Sequence, residues 1–167
     1  MQQIFSQELR FKDDDGQEFP EWEEKTLGDI TKFLNGKGHE SIISEQGRFI
    51  VVNSKFIASN GLVFKTSKQA LTPIEKDSIV MVMSDVPNGK ALAKCFYIKE
   101  SDKYTLNQRI CSLKSDKKDN KFLFYMINRN PYFITFDSGV GQTNLKKNEV
   151  LSCPINLPKA LLEILGL

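Results

Sequence analysis

The stretch from residue 138 to residue 158 most strongly limits what this chain can fold into, because it joins a glycine-containing loop, a short helical pattern and a strand. Gly139 and Gly141 allow positive φ angles, so a loop with little side-chain bulk can lie close to a ligand. Asn144 is a suitable N-cap for a helical turn predicted over residues 145–151. The free N–H groups of such a turn suit a phosphate oxygen, although a solvated loop before an ordinary helix has the same pattern.

Length and composition indicate a soluble globular protein with one domain. The chain has 167 residues, of which 40% are hydrophobic and 26% charged, enough to bury a core without disulfides or metals. No apolar run approaches the roughly 18 residues of a membrane span, and the N-terminus lacks a basic start and an apolar signal core. We therefore expect a cytoplasmic protein that does not contact a membrane.

The three cysteines and the single histidine argue against a metal site. There is no C-x-x-C pair, and each cysteine is set among apolar or strand-like neighbours, which predicts reduced thiols in the core. His39 is expected to be exposed or to cap a helix. We expect no metal and no cofactor.

Charge is distributed unevenly along the chain. The net charge is +2, but residues 1–30 carry 3 basic and 9 acidic side chains, whereas the remainder carries 20 basic and 12 acidic ones. Residues 1–18 are predicted to be an acidic, partly disordered leader. The basic body could neutralise phosphates, or its lysines could simply form a solvated surface.

Periodicity and turn signals predict an α+β fold, with a twisted, mainly antiparallel sheet and a few helices. Helices are expected over residues 27–34, opened by Thr26 and Asp29, and over residues 121–130, ended by Pro131. Short runs rich in β-branched and aromatic residues predict strands. These strands are expected at residues 49–52, 62–64, 79–83 and 95–98.

Two stretches of the sequence resemble a known family. The run S-G-V-G-Q-T-N-L, followed by K-K-N-E-V-L-S and P-I-N-L-P, resembles the C-terminal part of a target recognition domain from the DNA-specificity (S) subunit of type I restriction-modification systems. The segment P-E-W-E-E-K-T-L-G-D-I-T-K-F-L-N-G-K resembles the opening of the same domain. The resemblance covers residues 19–158 and implies sequence-specific recognition of double-stranded DNA, with methyltransferase and restriction subunits as the family's partners.

In that family a long spacer helix normally follows the final Leu-Pro. Residues 159–167 would form only a short remnant of it, roughly 13 Å of helix at 1.5 Å per residue. The expectation from the sequence is a truncated, single-domain form that is mostly monomeric and does not bind a methyltransferase subunit stably.

Three segments supply candidate DNA-binding side chains: residues 84–90, residues 106–110 and residues 142–147. The turn S-D-V-P-N-G-K resembles a family motif, although Val86-Pro87 stands where the family has Arg-Gly, and the run L-N-Q-R-I resembles another. Amide and guanidinium groups suit adenine and guanine edges, whereas Arg109 could instead pair with a carboxylate and fix a loop. The candidates are Lys90, Asn107, Gln108, Arg109, Gln142, Thr143, Asn144, Lys146 and Lys147.

No catalytic role is expected for this sequence. It contains no metal-binding carboxylate cluster, no glycine-rich cofactor loop and no N-P-P-[YF] base pocket. Two alternatives to DNA recognition are a specificity fragment without DNA-binding activity and a protein-interaction module for the methyltransferase subunit. An enzyme acting on nucleic acid would need groups that cannot be assembled from these motifs.

Overall fold

A computed structural model describes residues 10, 12, 15–18, 21–86, 89–116 and 119–158. The five helices in this part of the chain are α1 Leu27–Ile30, α2 Ser54–Ala58, α3 Asn120–Ile127, α4 Pro131–Ile134 and α5 Lys147–Leu151, with a 3₁₀ turn at Glu40–Ile42. The strands are β1 Trp22–Thr26, β2 Lys32–Asn35, β3 Phe49–Val52, β4 Lys65–Ser67, β5 Ile79–Val82, β6 Ser84–Asp85, β7 Cys95–Tyr97, β8 Tyr104–Leu106, β9 Ile110–Lys114, β10 Thr143–Asn144 and β11 Pro154–Pro158.

The strands form four small sheets, and the predicted α+β fold is confirmed. An antiparallel sheet has the order β2-β9-β5-β7, and a second sheet has the order β4-β3-β8. Two ribbons, β1-β11 and β6-β10, complete the set. Every pair is antiparallel except β3 with β8, so the predicted strand direction is right, although the strands divide among several sheets.

Strand β5 lies at the centre because both of its faces are covered. Successive side chains of a strand point to opposite faces, and all four residues of β5 are fully buried. Ile79 and Met81 join a core formed with α1, α3, α4, α5 and β11, whereas Val80 and Val82 join a second core formed with α2, β3 and β8. The four-stranded sheet therefore separates two hydrophobic cores.

The first helix begins as predicted but is shorter than predicted. The Asp29 carboxylate accepts hydrogen bonds from the Thr26 N–H at 2.8 Å and the Thr26 hydroxyl at 2.7 Å, which fixes the start of the helix. Thr31 is extended, and residues 32–35 then pair with β9. A helix over residues 27–34 is wrong because sheet pairing overrides the helical spacing of Phe33 and Leu34.

Four other elements also differ from the sequence predictions. Helix α3 ends at Ile127, and Pro131 opens α4 rather than ending α3, since proline suits the first turn of a helix. Residues 62–64 are not a strand: the Ser59 hydroxyl accepts a bond from the Val63 N–H in a turn, and pairing with β3 begins at Lys65. The strands predicted at residues 79–83 and 95–98 each end one residue earlier.

Both ends of the chain lie largely outside the described residues. The acidic leader is represented by an isolated antiparallel bridge between Lys12 and Glu18, and the predicted spacer remnant, residues 159–167, is not described. Among the described residues no helix is long and apolar enough to cross a membrane.

The prediction that His39 is exposed is wrong, because the side chain is buried. His39 does stand at the N-cap position of the Glu40–Ile42 turn, although its side chain makes no capping hydrogen bond there. Its Nδ1 atom lies 2.7 Å from the Lys37 carbonyl oxygen and its Nε2 atom 2.9 Å from the Thr105 hydroxyl. A buried imidazole needs both of its nitrogens satisfied, and these two partners supply that. His39 thus ties residues 37–39 to strand β8.

All three cysteines are free and buried, as predicted. Burial raises the pKa of Cys111 and of Cys153 to about 12, and that of Cys95 well above its ordinary value. A thiolate is the reactive form of cysteine, so these thiols are protected both chemically and sterically.

We predict that the native protein shows no rapid thiol reaction at pH 8, whereas about three equivalents react per chain in denaturing urea. Titration with a chromogenic disulfide reagent measures both numbers. Rapid modification of one cysteine in the native protein would contradict the burial described above.

Candidate nucleic-acid interface

Met83, just after β5, joins two of the three segments that carry candidate residues. Its N–H donates to the Arg109 carbonyl oxygen at 2.9 Å, and its carbonyl oxygen accepts from the Leu145 N–H at 2.8 Å. The two partners are 26 and 62 residues away in sequence, so backbone hydrogen bonds bring distant loops to one edge. We call this edge, where β5 ends and β9 begins, the loop end of the four-stranded sheet.

The candidate segment at residues 107–109 is a tight turn between β8 and β9. The Ile110 N–H donates to the Asn107 carbonyl oxygen at 3.3 Å, and the Asn107 side-chain oxygen accepts from the His39 N–H at 3.2 Å. Gly36 lies against this turn so closely that a Cβ there would overlap the Asn107 carbonyl group. Residues 36–40 and 107–109 therefore pack as one unit at the loop end.

A two-stranded ribbon projects beside that turn. Strands β6 and β10 pair with Asp85 opposite Thr143 and Ser84 opposite Asn144. The Gln142 side-chain amide donates to the Ser84 hydroxyl at 2.8 Å, which adds a side-chain bond between the two segments. We call residues 84–86 and 142–144 the loop ribbon.

Two aspartates hold the loops that leave the ribbon. The Asp85 carboxylate accepts three backbone N–H bonds, from Val86 at 2.9 Å, Ala91 at 2.7 Å and Leu92 at 3.1 Å. The Asp137 carboxylate accepts from the Gly139 N–H and the Thr143 hydroxyl, both at 3.0 Å. Both negative charges are thus compensated by donors of the protein itself.

Ion pairing differs between the two ends of the sheet. Each end also carries other exposed charged side chains, Lys76 and Lys99 at the far end and Glu40 at the loop end. At the far end, Lys32 pairs with Asp116 and Lys114 with Glu75. At the loop end the exposed side chains of Lys37, Lys90 and Arg109 have no ion-pair partner among the described residues. The loop end therefore offers positive charge to a ligand.

Backbone strain also concentrates at the loop end. Among the described residues, seven that are not glycine have positive φ, and four of them are Asn or Asp, which tolerate this region. The other three are Ala93, Arg109 and Arg129, with φ of 56°, 65° and 58°. The Arg129 N–H donates to the Ala93 carbonyl oxygen, and the Arg129 guanidinium donates to the Leu92 carbonyl oxygen. Ala93, Arg109 and Arg129 therefore all lie at this edge. Strained residues of this kind cluster at functional sites.

Comparison with known proteins places this fold in a family. Residues 20–163 match the model of the type I restriction modification DNA specificity domain. The chain belongs to this family. A search of curated proteins finds no significant match.

Three solved structures share the fold of this specificity domain. The type I restriction-modification S subunit from M. genitalium is 13% identical, with a TM-score of 0.67, and the match covers 95% of this chain and 38% of that one. The HsdS subunit from Thermoanaerobacter tengcongensis is 12% identical, with a TM-score of 0.61, and the match covers 88% of this chain and 36% of that one. A chain from a structure described as the structural basis of complex assembly and conformational transition of the type I R-M system is 12% identical, with a TM-score of 0.66, and the match covers 99% of this chain and 42% of that one. The specificity domain described here spans well under half the length of each.

Four of the nine candidate residues have side chains open to solvent at the loop end of the specificity domain. These are Lys90, Gln108, Arg109 and Gln142, with the Gln108 amide also 3.1 Å from Glu40 Oε1. Two others turn inward: Asn107 accepts from His39, and the buried Thr143 donates to Asp137. Asn107 and Thr143 hold the loops, and contact of any candidate with DNA remains a prediction.

The last three candidates lie on or beside helix α5, which begins later than predicted. Asn144 belongs to β10, and the cap is at Lys146, whose N–H donates to Glu149 at 2.7 Å. The Nζ atom of Lys147 lies 5.5 Å from the centre of the Phe33 ring. A helix starting at residue 145 with Asn144 as its cap is therefore wrong, because residues 143–144 pair with β6. Leu145 and Val150 are buried, and both lysines are exposed.

Sequence reasoning missed Lys37 and Arg129 at this edge. Lys37 lies between Gly36 and Gly38, and its N–H bonds to the Leu106 carbonyl oxygen. A lysine flanked by glycines is a detectable signal for an exposed cation near a close backbone contact. No sequence signal marks Arg129, because the predicted helix includes it, whereas the observed helix α3 ends at Ile127 and leaves Arg129 outside.

We predict that Gly36→Ala lowers the free energy of unfolding by about 3 kcal/mol, since its Cβ would overlap backbone atoms that cannot move aside independently. Gly38→Ala is the matched control. The Cβ added at residue 38 would meet the end of the flexible Glu40 side chain. Gly38→Ala should therefore lower the free energy of unfolding much less than Gly36→Ala. Urea denaturation of both variants checks this, and equal losses would show that the 36–40 segment does not pack on the turn as described.

Proposed function

We propose that this chain recognises double-stranded DNA sequence-specifically, as a specificity domain of a type I restriction-modification system. The loop end of the four-stranded sheet would be the DNA-contacting surface. Residues 19–158 would be the recognition unit, and methyltransferase and restriction subunits would be its protein partners, as the complex named for one structural relative suggests.

The observation that carries the proposal is the loop ribbon beside the 107–109 turn. The major groove of B-DNA admits a two-stranded β-ribbon, and base pairs present distinct patterns of donors and acceptors there. The ribbon is fixed at its base by Met83, Asp85 and Asp137. A ligand would therefore meet a surface whose backbone is already ordered, which reduces the entropy lost on binding.

Charge supports the same orientation. Lysine and arginine side chains that neutralise phosphates supply most of the sequence-independent affinity for DNA. Lys37 lies beside the 107–109 turn and Lys90 in the loop that leaves β6, whereas the basic side chains at the opposite end of the sheet include the paired Lys32 and Lys114. The loop end would face the duplex, with these lysines contacting phosphates.

Selection of bound duplexes from a random pool, at low and at physiological salt, tests the function directly. Recovery of a shared sequence at both salt concentrations is the expected result. Uniform recovery of all sequences, or of none, would contradict sequence-specific recognition.

We predict that the double variant Lys37→Ala, Lys90→Ala weakens binding to all duplexes and makes the plot of log K against log salt less steep. If each lysine neutralises one phosphate, the slope should change by about 2. The charge-matched control is Lys76→Ala, Lys99→Ala, at the far end of the sheet. Equal changes in the two double variants would place the DNA elsewhere.

Arg109 provides a test of base reading. If its guanidinium binds a guanine, Arg109→Gly should lose roughly 1–3 kcal/mol of discrimination at one base pair. Glycine suits the positive φ of this position, so thermal stability should not fall. Arg109→Ala should lose the same discrimination while keeping the unfavourable backbone conformation. A loss of thermal stability in Arg109→Gly, with base preference unchanged, would instead indicate a structural role for the arginine.

A further inference from the structure

The loops of the ribbon expose two valines that the protein core does not use. Among the described residues, three large apolar side chains are more than 60% exposed: Leu62 at 85%, Val86 at 63% and Val140 at 84%. Two of the three lie in the loops that leave β6 and enter β10. Exposed apolar side chains are common singly on protein surfaces, but these two lie in loops at the same end of the antiparallel β6–β10 pair.

The backbone of both loops makes local hydrogen bonds, although the Val86 and Val140 side chains are exposed. The Val86 N–H donates to Asp85, and the register of the ribbon places Val86 opposite Gln142. Val140 lies between Gly139 and Gly141, whose φ angles are 70° and 74°, and the Val140 N–H and carbonyl oxygen both lie within hydrogen-bonding distance of the Ser138 hydroxyl. Both valines therefore project from backbone that internal hydrogen bonds fix in place.

We propose, building on the proposed function, that Val86 and Val140 read thymine by contact with its 5-methyl group in the major groove. Thymine is the one base that presents an apolar group on that edge. A valine has a single, stiff side-chain torsion, so ordering it against a methyl group costs little entropy. The surrounding side chains of the ribbon are polar, so the two valines are the groups able to make such a contact.

The size of the side chains favours the major groove over insertion between base steps. Wedges that unstack DNA are typically larger residues such as Phe, Leu, Ile, Met or Pro, and they enter from the minor groove. Valine is too short to separate two stacked bases, but it matches the dimensions of a methyl contact. The ribbon itself fits the wider groove.

The experiment replaces each thymine of a selected duplex, one at a time, with deoxyuridine, which lacks only the methyl group. Binding of the full chain is measured by fluorescence anisotropy. At one or two positions, deoxyuridine should weaken wild-type binding by about fourfold, the factor expected for burial of one methyl group. Val140→Ala or Val86→Ala should bind the thymine and deoxyuridine duplexes equally at its own position.

Leu62→Ala is the matched control, because Leu62 is equally exposed but lies in the loop between α2 and β4. It should keep the full thymine preference. All three side chains are solvent-exposed, so the urea midpoints should be close to that of the wild type.

The outcomes separate this inference from the proposed function. If the pool yields no preferred duplex, the proposed function is wrong and the valine assignment falls with it. If a preferred duplex is found but deoxyuridine is tolerated at every position, or if the duplex contains no thymine, DNA recognition stands and the valine assignment is overturned. The assignment is also overturned if the valine variants keep the wild-type preference for thymine.

Discussion

The complete burial of β5 on both faces is the constraint on which the rest of this structure depends. Ile79 and Met81 fill one core, Val80 and Val82 the other, and burying each of these side chains contributes roughly 1.5–3 kcal/mol. A strand held on both faces also determines where the next residue of the chain lies. Met83 leaves the sheet with its N–H and its carbonyl oxygen committed to Arg109 and Leu145, so the position of the loop end is set by the packing of the two cores.

At the loop end, polar groups divide between holding the loops and facing solvent. Asp85 and Asp137 accept bonds from the backbone and from Thr143, so these two carboxylates hold the loops. Arg109 keeps a left-handed backbone conformation that glycine or asparagine would adopt at lower cost. An unfavourable backbone at an exposed arginine, with no ion-pair partner among the described residues, is explained more readily by a use for the guanidinium than by stability.

The sequence predicted the strands that are short, apolar and β-branched, and it failed where pairing with a distant strand decided the structure. Phe49–Val52 was predicted with its observed bounds, because its composition leaves few alternatives. Residues 32–34 were predicted as helix because Phe33 and Leu34 have helical spacing with Leu27 and Ile30, yet they pair with β9, more than 70 residues away. The candidate residues came from short local motifs, and no local pattern shows that Met83 brings residues 109 and 145 together.

This division suggests how a domain of this kind could change its target without losing its fold. Asn107, Thr143 and Asp85 each satisfy backbone or buried groups, and replacing such a residue leaves those groups unpaired at a cost of about 1–3 kcal/mol each. Within the described part of the chain, the side chains of Arg109, Val86 and Val140 make no comparable hydrogen bond. Most substitutions of exposed residues that make no such hydrogen bond change stability by less than about 0.5 kcal/mol. The amino acids at these three positions can therefore change with little effect on stability. The groups proposed to read bases and the groups that hold the loops are therefore separable, even where they are neighbours in sequence.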